Sequence, residues 1–303
     1  MLDITLLGTG GMMPLPRRWV TSLLIRYNGA SLLIDCGEGT QIALREKGWS
    51  FKPVNTILLT HFHADHIAGL PGFFLTMGNS DRTEPVTVIG PRGLSRIMPA
   101  VRTIAPELPF EVNFIEIEGN EQTFLIDGME ITAFRVQHNI VCYAYEIAVK
   151  RKGRFDAVRA KALEIPLRFW NPLQRGETIE DSGRIYTPEM VLGKERKGLK
   201  VVYATDTRPV PAITEHALNA DLLVCEGMYG EPGMDKKARE HKHMTMQEAA
   251  QIGKDAQPVN MWLTHYSPSL VRPDQYMSSV QAIYPNIIAA KDGQEMTLKF
   301  EDE

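Results

Sequence analysis

The sequence predicts an α/β fold in which two mixed sheets are flanked by helices. Segments rich in β-branched and aromatic residues dominate the first half of the chain, and strands alternate with helices in the second half. Some of the strands are joined as hairpins, which argues against one purely parallel sheet. With 303 residues, of which 44% are hydrophobic, the chain is long enough to bury a full core.

The first half contains a strong hairpin signal. The segments 21–27 and 30–35 flank Asn28-Gly29, a pair that favours the tight turn between two antiparallel strands. A helix is expected over 93–104. Further strands are expected over 4–7, 56–60, 86–89, 110–117, 129–136 and 141–149.

The second half alternates between the two element types. The segment 245–256 is predicted as a helix, because Thr245-x-x-Glu248 can form a capping box at its start. Further helices are expected over 212–219 and 273–283, and strands over 200–204, 222–225, 259–263, 287–290 and 296–300.

Composition excludes several classes of protein. No apolar run reaches the roughly 18 residues of a membrane helix, and the first residues lack the features of a signal peptide. Cys36, Cys142 and Cys225 lie far apart without a CxxC pair, so we expect them in the core rather than in disulfides. These observations predict a cytoplasmic protein with no membrane partner. The net charge of −4 excludes a chain that is basic overall.

Positive charge is concentrated in one segment. Between positions 150 and 200, thirteen Lys or Arg residues stand against seven Asp or Glu residues. Four aromatic residues lie in the same segment: Phe155, Phe169, Trp170 and Tyr186. It is either a solvated insertion or a protruding arm that contacts a polyanion. We expect a single domain over 1–303 with this basic arm inserted at 150–199.

One loop concentrates potential metal ligands. Four of them lie within six residues, directly after a short predicted strand: His61, His63, Asp65 and His66. Three imidazoles and a carboxylate would need many hydrogen-bonding partners, which a metal ion supplies at once. Neutral imidazole and carboxylate favour zinc, with manganese or iron as alternatives. Four ligands in one loop suggest two ions.

Other ligands are expected at the ends of later strands. His138, Asp206 and His265 each follow a predicted strand, where the active-site residues of α/β folds collect. Asp35 is expected to support the metal loop from behind. The glycine-containing segment 8–11 is a weak nucleotide signal, because Met13 stands where a dinucleotide loop has its third glycine.

These motifs resemble the metallo-β-lactamase superfamily, which implies an αββα sandwich with the metals at one edge. Within it, the chain looks most like the ribonuclease Z family of tRNA 3′-end endonucleases. The matching segments are Pro14, Arg18-Trp19-Val20-Thr21-Ser22, Asp206-Thr207-Arg208, Glu226 and His243-Met244-Thr245. The basic insertion stands where that family carries a flexible arm that grips tRNA. Trp19, Asn139 and the segment 167–172 depart from the family's pattern.

The resemblance also implies roles for individual residues. Two zinc ions would be held by His61, His63 and His138 on one side and by Asp65, His66 and His265 on the other, with Asp206 bridging. Asp65 would accept a proton, and His243, supported by Glu226, would donate one to the leaving oxygen or hold the phosphate. Thr245 is expected to contact the substrate. Arg18 and Arg208 are candidate phosphate contacts or, equally, members of buried ion pairs. His216 and His241 are expected to face solvent.

A hydrolase of a small molecule is the alternative function. The same fold would suit a cyclic-nucleotide phosphodiesterase, a thioesterase or a lactamase. The basic arm favours the nuclease, because a small substrate has no need of such a projection. The resemblance therefore predicts precursor tRNA as the substrate and a homodimer as the assembly.

Overall fold

The structure, a computed structural model, describes residues 1–301 and contains two large mixed sheets. The strands of the first sheet, numbered along the chain, are β1 (Leu2–Gly8), β2 (Ser22–Tyr27), β3 (Ala30–Ile34), β4 (Val54–Leu58), β5 (Val86–Gly90), β6 (Val112–Glu116) and β16 (Gln294–Leu298). Their order is β16-β1-β2-β3-β4-β5-β6. Pairing is antiparallel from β16 to β3 and parallel from β3 to β6.

The second sheet is built from later strands. They are β7 (Glu121–Ile126), β8 (Met129–Val136), β9 (Cys142–Arg151), β12 (Arg196–Ala204), β13 (Leu222–Glu226), β14 (Asn260–Thr264) and β15 (Ile287–Ala289). Their order is β15-β14-β13-β12-β9-β8-β7. The run from β12 to β15 is parallel, and β7, β8 and β9 pair antiparallel.

Helices accompany both sheets. Outside the basic insertion they are α1 (Thr40–Glu46), α2 (Ala64–Ile67), α3 (Leu70–Gly78), α4 (Leu94–Ile104), α7 (Pro211–Ala217), α8 (Asp235–His241), α9 (Met246–Ala256) and α10 (Met277–Gln281). Within residues 1–301, no helix combines the length and the apolar character needed to cross a membrane.

Both faces of the central strands of each sheet are buried. In the first sheet, Leu7, Leu24 and Leu33 belong to a cluster that includes residues of α1, α3 and α4. The residues that alternate with them, such as Leu23 and Ile34, are also fully buried. A buried Leu or Ile stabilises the fold by about 1.5–3 kcal/mol, so two apolar faces per sheet favour a sandwich with helices outside.

The predicted hairpin and capping box are confirmed. Tyr27 pairs with Ala30, and Asn28 and Gly29 both have positive φ, of 49° and 84°, as a two-residue hairpin turn requires. Thr245 caps α9 by accepting a hydrogen bond from the Glu248 N–H. The prediction of one helix over 273–283 is wrong. A 3₁₀ helix covers Pro273–Tyr276, and α10 ends at Gln281.

The basic insertion folds as a compact unit. Val149–Leu199, with Phe300 and Glu301, separates from the larger unit of Met1–Ala148 and Lys200–Lys299. It contains α5 (Ala157–Ala162), α6 (Leu167–Gln174), a hairpin of β10 (Ile179–Asp181) and β11 (Arg184–Tyr186), and a 3₁₀ helix over Pro188–Met190. Its small core is formed by Ala160, Ile165, Phe169, Leu173, Tyr186 and Val191. The sequence showed no clean period here because the elements are short and Pro172 lies inside α6.

Candidate metal centre

The histidine-rich segment runs from the end of β4 into α2, which carries Asp65 and His66, and glycines pack against it. His61 and His66 are buried, whereas His63 and Asp65 are partly exposed. A Cβ atom added to Gly37 would lie 1.8 Å from the backbone oxygen of Asp65, so only glycine allows this close approach.

A first group of ligating atoms gathers around His63. Its Nδ1 lies 2.9 Å from Nε2 of His61 and 3.2 Å from Nε2 of His138, which follows β8. Both Nε2 atoms lie 3.8 Å from Oδ1 of Asp206. These four residues offer atoms that all lie within 4.8 Å of one another, close enough to surround one ion.

A second group faces the other oxygen of the same carboxylate. Nε2 of His66 and Nε2 of His265 each lie 3.2 Å from Oδ2 of Asp206. Both nitrogens also lie 3.5 Å from Oδ2 of Asp65. The Asp206 carboxylate is therefore placed between the two groups, with one oxygen directed to each.

Backbone conformation turns several of these side chains inward. Asp206 and His265 follow β12 and β14 with φ of 55° and 54°, and Asp35 follows β3 with φ of 61°. For a residue other than glycine, such a conformation costs on the order of 1–3 kcal/mol and persists where the surroundings enforce it. Three strands that border the site are thus each followed by a residue with left-handed backbone.

The donor set fits a metal. Nε2 of His66, Oδ2 of Asp206 and both ring nitrogens of His265 are buried without a hydrogen-bond partner among the described residues. Each unsatisfied buried polar atom costs about 1–3 kcal/mol, so such a group is unfavourable unless a ligand engages it. Imidazole nitrogens and carboxylate oxygens in this proportion are the ligands of zinc and of other first-row divalent ions.

Asp35 holds the loop from behind, in the position that the sequence suggested. Its Oδ2 lies 2.8 Å from Nδ1 of His66, and its Oδ1 accepts the backbone N–H of Thr60 at 2.8 Å. The buried hydroxyl of Tyr203 also donates to Asp35, at 3.3 Å. These bonds leave Nε2 of His66 directed toward the centre.

A histidine–carboxylate pair borders the centre. Nδ1 of His243 lies 3.0 Å from Oε2 of Glu226, which is fully buried at the end of β13. Glu226 also accepts backbone N–H groups from Thr207 at 2.5 Å and Met244 at 3.3 Å. The carboxylate thereby fixes the orientation of the ring and leaves Nε2 as the free nitrogen.

The local environment sets the protonation of these rings. Burial lowers the pKa of His61 well below its ordinary value and also lowers the pKa of His63 and of His138. Neutral imidazole is the form that ligates a metal. Burial acts in the same direction on His243, but the carboxylate of Glu226 outweighs it and raises this pKa to about 9. His243 is thereby suited to carry a proton.

Three residues predicted to bind substrate have protein partners. Arg208 forms an ion pair with Glu248 and donates to the backbone oxygen of His243. Arg18 donates to the backbone oxygens of Leu270 and Val271, both at 2.8 Å. Thr245 is the buried cap of α9. Of the two alternatives for Arg208, this geometry favours the ion pair; substrate contact by the three residues stays a prediction.

The outcome for the remaining residues is mixed. The three cysteines are buried, as expected, and His241 is exposed. The expectation that His216 faces solvent is wrong. Its ring stacks on that of Phe134, with the ring centroids 3.9 Å apart, and its Nδ1 forms a hydrogen bond with Oε2 of Glu146 at 2.9 Å.

Sequence reasoning missed two supports of the site. A Cβ atom at Gly11 would lie 2.7 Å from the ring of His265, so a side chain at this position would displace that candidate ligand. The Met12 N–H donates to Oδ2 of Asp65 at 2.6 Å. The signal was the glycine-containing segment 8–11, whose Leu7-Gly8-Thr9-Gly10 also resembles the superfamily, but the sequence did not indicate that it packs against the candidate ligands.

A cavity of about 250 Å³ opens over the centre. It is lined by Met12, His63, Asp65, His138, Asn139, Asp206, Met228, Tyr229, Lys237, His241, His243, His265 and Ser267. Candidate ligands, the His243 ring and a lysine thus share one space that solvent can reach.

Comparison with family models and solved structures agrees with this architecture. One model, described as "Anti-Pycsar protein Apyc1", matches residues 2–152, and another, a "Beta-lactamase superfamily domain", matches residues 175–266. The short form of human tRNase Z aligns over 98% of this chain and 100% of its own, with a TM-score of 0.70 and 22% identity. The metallo-β-lactamase fold protein YhfI of Bacillus subtilis covers 97% and 98%, with a TM-score of 0.71 and 19% identity. These likenesses confirm the predicted fold.

Relatives in sequence are much more similar. A ribonuclease Z of Lachnospira eligens is 57% identical over 303 residues, covering 100% of both chains. One of Lachnoclostridium phytofermentans is 57% identical over 99% of both, and one of Clostridium acetobutylicum is 46% identical over 100% of both. At this similarity over the full length, the resemblance inferred from the motifs is confirmed: the chain belongs to the ribonuclease Z family.

Proposed function

We propose that this protein is a metal-dependent endoribonuclease that removes the 3′ trailer from precursor tRNA. The observation that carries the proposal is the position of the Asp206 carboxylate, with one oxygen 3.8 Å from His61 and His138 and the other 3.2 Å from His66 and His265. Family membership supports the choice of an RNA phosphodiester over other substrates of the fold.

Two divalent ions, zinc in our proposal, would occupy the centre. His61, His63 and His138 would hold one, and Asp65, His66 and His265 the other, with Asp206 shared. When bound, such ions supply Lewis acidity toward the phosphate and lower the pKa of water to roughly 7. Manganese or iron would suit the same ligands.

The side chains around the centre would handle the protons. Attack of water on phosphorus breaks the P–O3′ bond, leaving a 3′-hydroxyl on the tRNA and a 5′-phosphate on the trailer. Asp65, oriented by the Met12 N–H, would accept the proton of the attacking water. His243, held by Glu226, would donate a proton from Nε2 to the departing O3′.

The unit Val149–Leu199 would act as the tRNA-binding arm. Its aromatic side chains are largely used by its own core, since Phe169 and Tyr186 are buried and Phe155 and Trp170 pack against them. Its exposed residues include Arg159, Lys161, Arg168, Arg175 and Arg184. Charge rather than base stacking would therefore supply the affinity. We place this arm at 150–199 within one domain of 1–303, in a cytoplasmic homodimer.

Cleavage of a precursor tRNA with a 3′ trailer tests the proposal. The zinc-loaded protein should cut once at the 3′ side of the discriminator base, and an Asp65→Ala variant should not. The product ends are mapped by sequencing. Hydrolysis of bis(p-nitrophenyl) phosphate without any cut in the precursor would contradict the tRNA assignment and favour a small phosphodiester as the substrate.

A further inference from the structure

We propose that Lys237 binds a phosphate adjacent to the scissile one and so positions the RNA chain across the metal centre. The inference rests on the proposed function and deepens it, because it assigns a contact for the substrate beyond the reacting phosphate.

Lys237 lines the cavity over the metal centre, and its ammonium group is accessible to a ligand there. It lines the same 250 Å³ space as Asp65, Asp206 and His243. It is the one Lys or Arg among the described residues of that lining. Its side chain is exposed, and within residues 1–301 it forms no ion pair with a carboxylate.

An aromatic ring orients the Lys237 side chain. Its Nζ lies 5.2 Å from the centroid of the Tyr229 ring, within the range of a cation–π contact. Tyr229 is 5% exposed and belongs to a small cluster with Met228 and Ala238. A contact with a fixed ring restricts an otherwise flexible lysine, which reduces the entropy lost when it binds an anion.

The helix that carries Lys237 and the residue that follows it contact His243 and the candidate ligand His138. The backbone oxygen of Ala238 accepts the His243 N–H at 2.9 Å. The backbone oxygen of Lys242, just after α8, lies 3.3 Å from Nδ1 of His138. The position of Lys237 is therefore coupled to the group that would protonate the leaving oxygen.

The chemistry of RNA supplies the anion. A phosphodiester within an RNA chain has a negatively charged phosphate on either side, whereas a small diester has none. The candidate ligands would be occupied with the ions and the scissile phosphate, which leaves the neighbouring phosphate to the other polar residues of the lining, among which Lys237 is the one Lys or Arg. A lysine ammonium is a suitable point charge for it. Lys237 would thus contribute to binding and alignment of RNA but not to bond cleavage in a small diester.

Steady-state kinetics on precursor tRNA provide the first test. Lys237→Gln should raise KM by roughly five- to tenfold with kcat nearly unchanged, and the slope of log KM against log salt should fall by about one. Lys237→Arg should restore most of the loss. Lys236→Gln is the matched control, because Lys236 is 89% exposed and lies outside the cavity lining. Hydrolysis of bis(p-nitrophenyl) phosphate should be the same in all four proteins.

Precursors with one neutral methylphosphonate linkage locate the contact. The linkage that Lys237 binds lies on the 5′ or the 3′ side of the cut. A methylphosphonate at that linkage should raise the KM of the wild type as much as Lys237→Gln raises the KM for the unmodified precursor. The two changes together should add no further loss. The proposed role of Lys237 is overturned if Lys237→Gln raises KM by the same factor on every methylphosphonate precursor. It is also overturned if Lys237→Gln slows hydrolysis of bis(p-nitrophenyl) phosphate. A wild type that cuts no precursor tRNA overturns the proposed function instead.

Discussion

The larger unit and the unit Val149–Leu199 use charged side chains in opposite ways. In the larger unit, seven candidate ligands from one segment and three later strand ends converge on a space in which facing atoms lie 2.9 to 3.8 Å apart. In the smaller unit, charged side chains point outward, and a pair such as Arg168–Asp181 is largely exposed. Exposed pairs contribute only about 0–1 kcal/mol. Candidate ligands that converge on one point define a site for one kind of reaction. Charges that are spread over a surface bind a polyanion with an affinity that depends on their total.

The largest loss of activity is expected from a substitution of Asp206, the carboxylate on which both groups of candidate ligands converge. Asp206→Asn removes the carboxylate that both groups share, so kcat/KM on precursor tRNA should fall at least about a thousandfold, with loss of bound metal. Metal content by mass spectrometry and cleavage assays measure both. Asp255→Asn on the exposed face of α9 is the control and should leave both unchanged. An Asp206→Asn protein with full metal content and near-normal cleavage would show that the two groups do not depend on a shared ligand.

Deletion of the smaller unit tests the role of its dispersed charges in tRNA binding. The backbone N–H of Gly193 bonds to the oxygen of Arg154 at 2.9 Å, so a Gly-Ser link can replace 154–192 with little distortion. We expect kcat/KM on precursor tRNA to fall about a hundredfold or more, mainly through KM, because many phosphate contacts are lost together. Turnover of bis(p-nitrophenyl) phosphate should not change. Equal losses on both substrates would mean that this unit supports the metal centre rather than binding tRNA.

A substitution of Asp35, which lies behind the metal centre, should have a smaller effect. Asp35→Asn keeps the shape of the side chain but weakens its hydrogen bonds to His66 and Thr60, which should lower metal affinity about 10- to 100-fold. Competition with a chromophoric chelator measures this change. Activity should return at saturating zinc; an activity defect that excess metal cannot restore would place Asp35 in the reaction itself.

The smallest effect on catalysis is expected from the core of the smaller unit. Leu173 is fully buried there, and Leu173→Ala should destabilise this unit by about 2–5 kcal/mol. Hydrogen exchange should then accelerate in α5 and α6, while the strands around the metal centre stay protected. Leu167→Ala, at a position 75% exposed on the same helix, is the matched control and should have little effect. Loss of protection throughout the chain would show that the two units unfold together.

The sequence predicted the centre better than its surroundings. His61, His63, Asp65 and His66 are adjacent in the chain, and His138, Asp206 and His265 each follow a recognisable strand, so local patterns were enough to suggest that they meet. Gly11 lies in a glycine-containing segment that gave only a weak signal, and Tyr203 and Lys237 carry no local signal at all, because their roles depend on contacts between distant segments. The arm was identified by its charge and by the family resemblance, and its two short helices and hairpin were missed. Its aromatic residues proved to be core, which composition cannot distinguish from a binding surface.

The left-handed conformations of Asp35, Asp206 and His265 have a thermodynamic consequence. Strained backbone and unsatisfied ring nitrogens belong to the same small region, so the folded chain without ions carries a local excess of free energy. By linkage, an ion that binds only the folded chain adds about 2.7 kcal/mol of stability when present at a hundred times its dissociation constant. Divalent metal supply would then govern how long each molecule survives proteolysis, in addition to how fast it turns over.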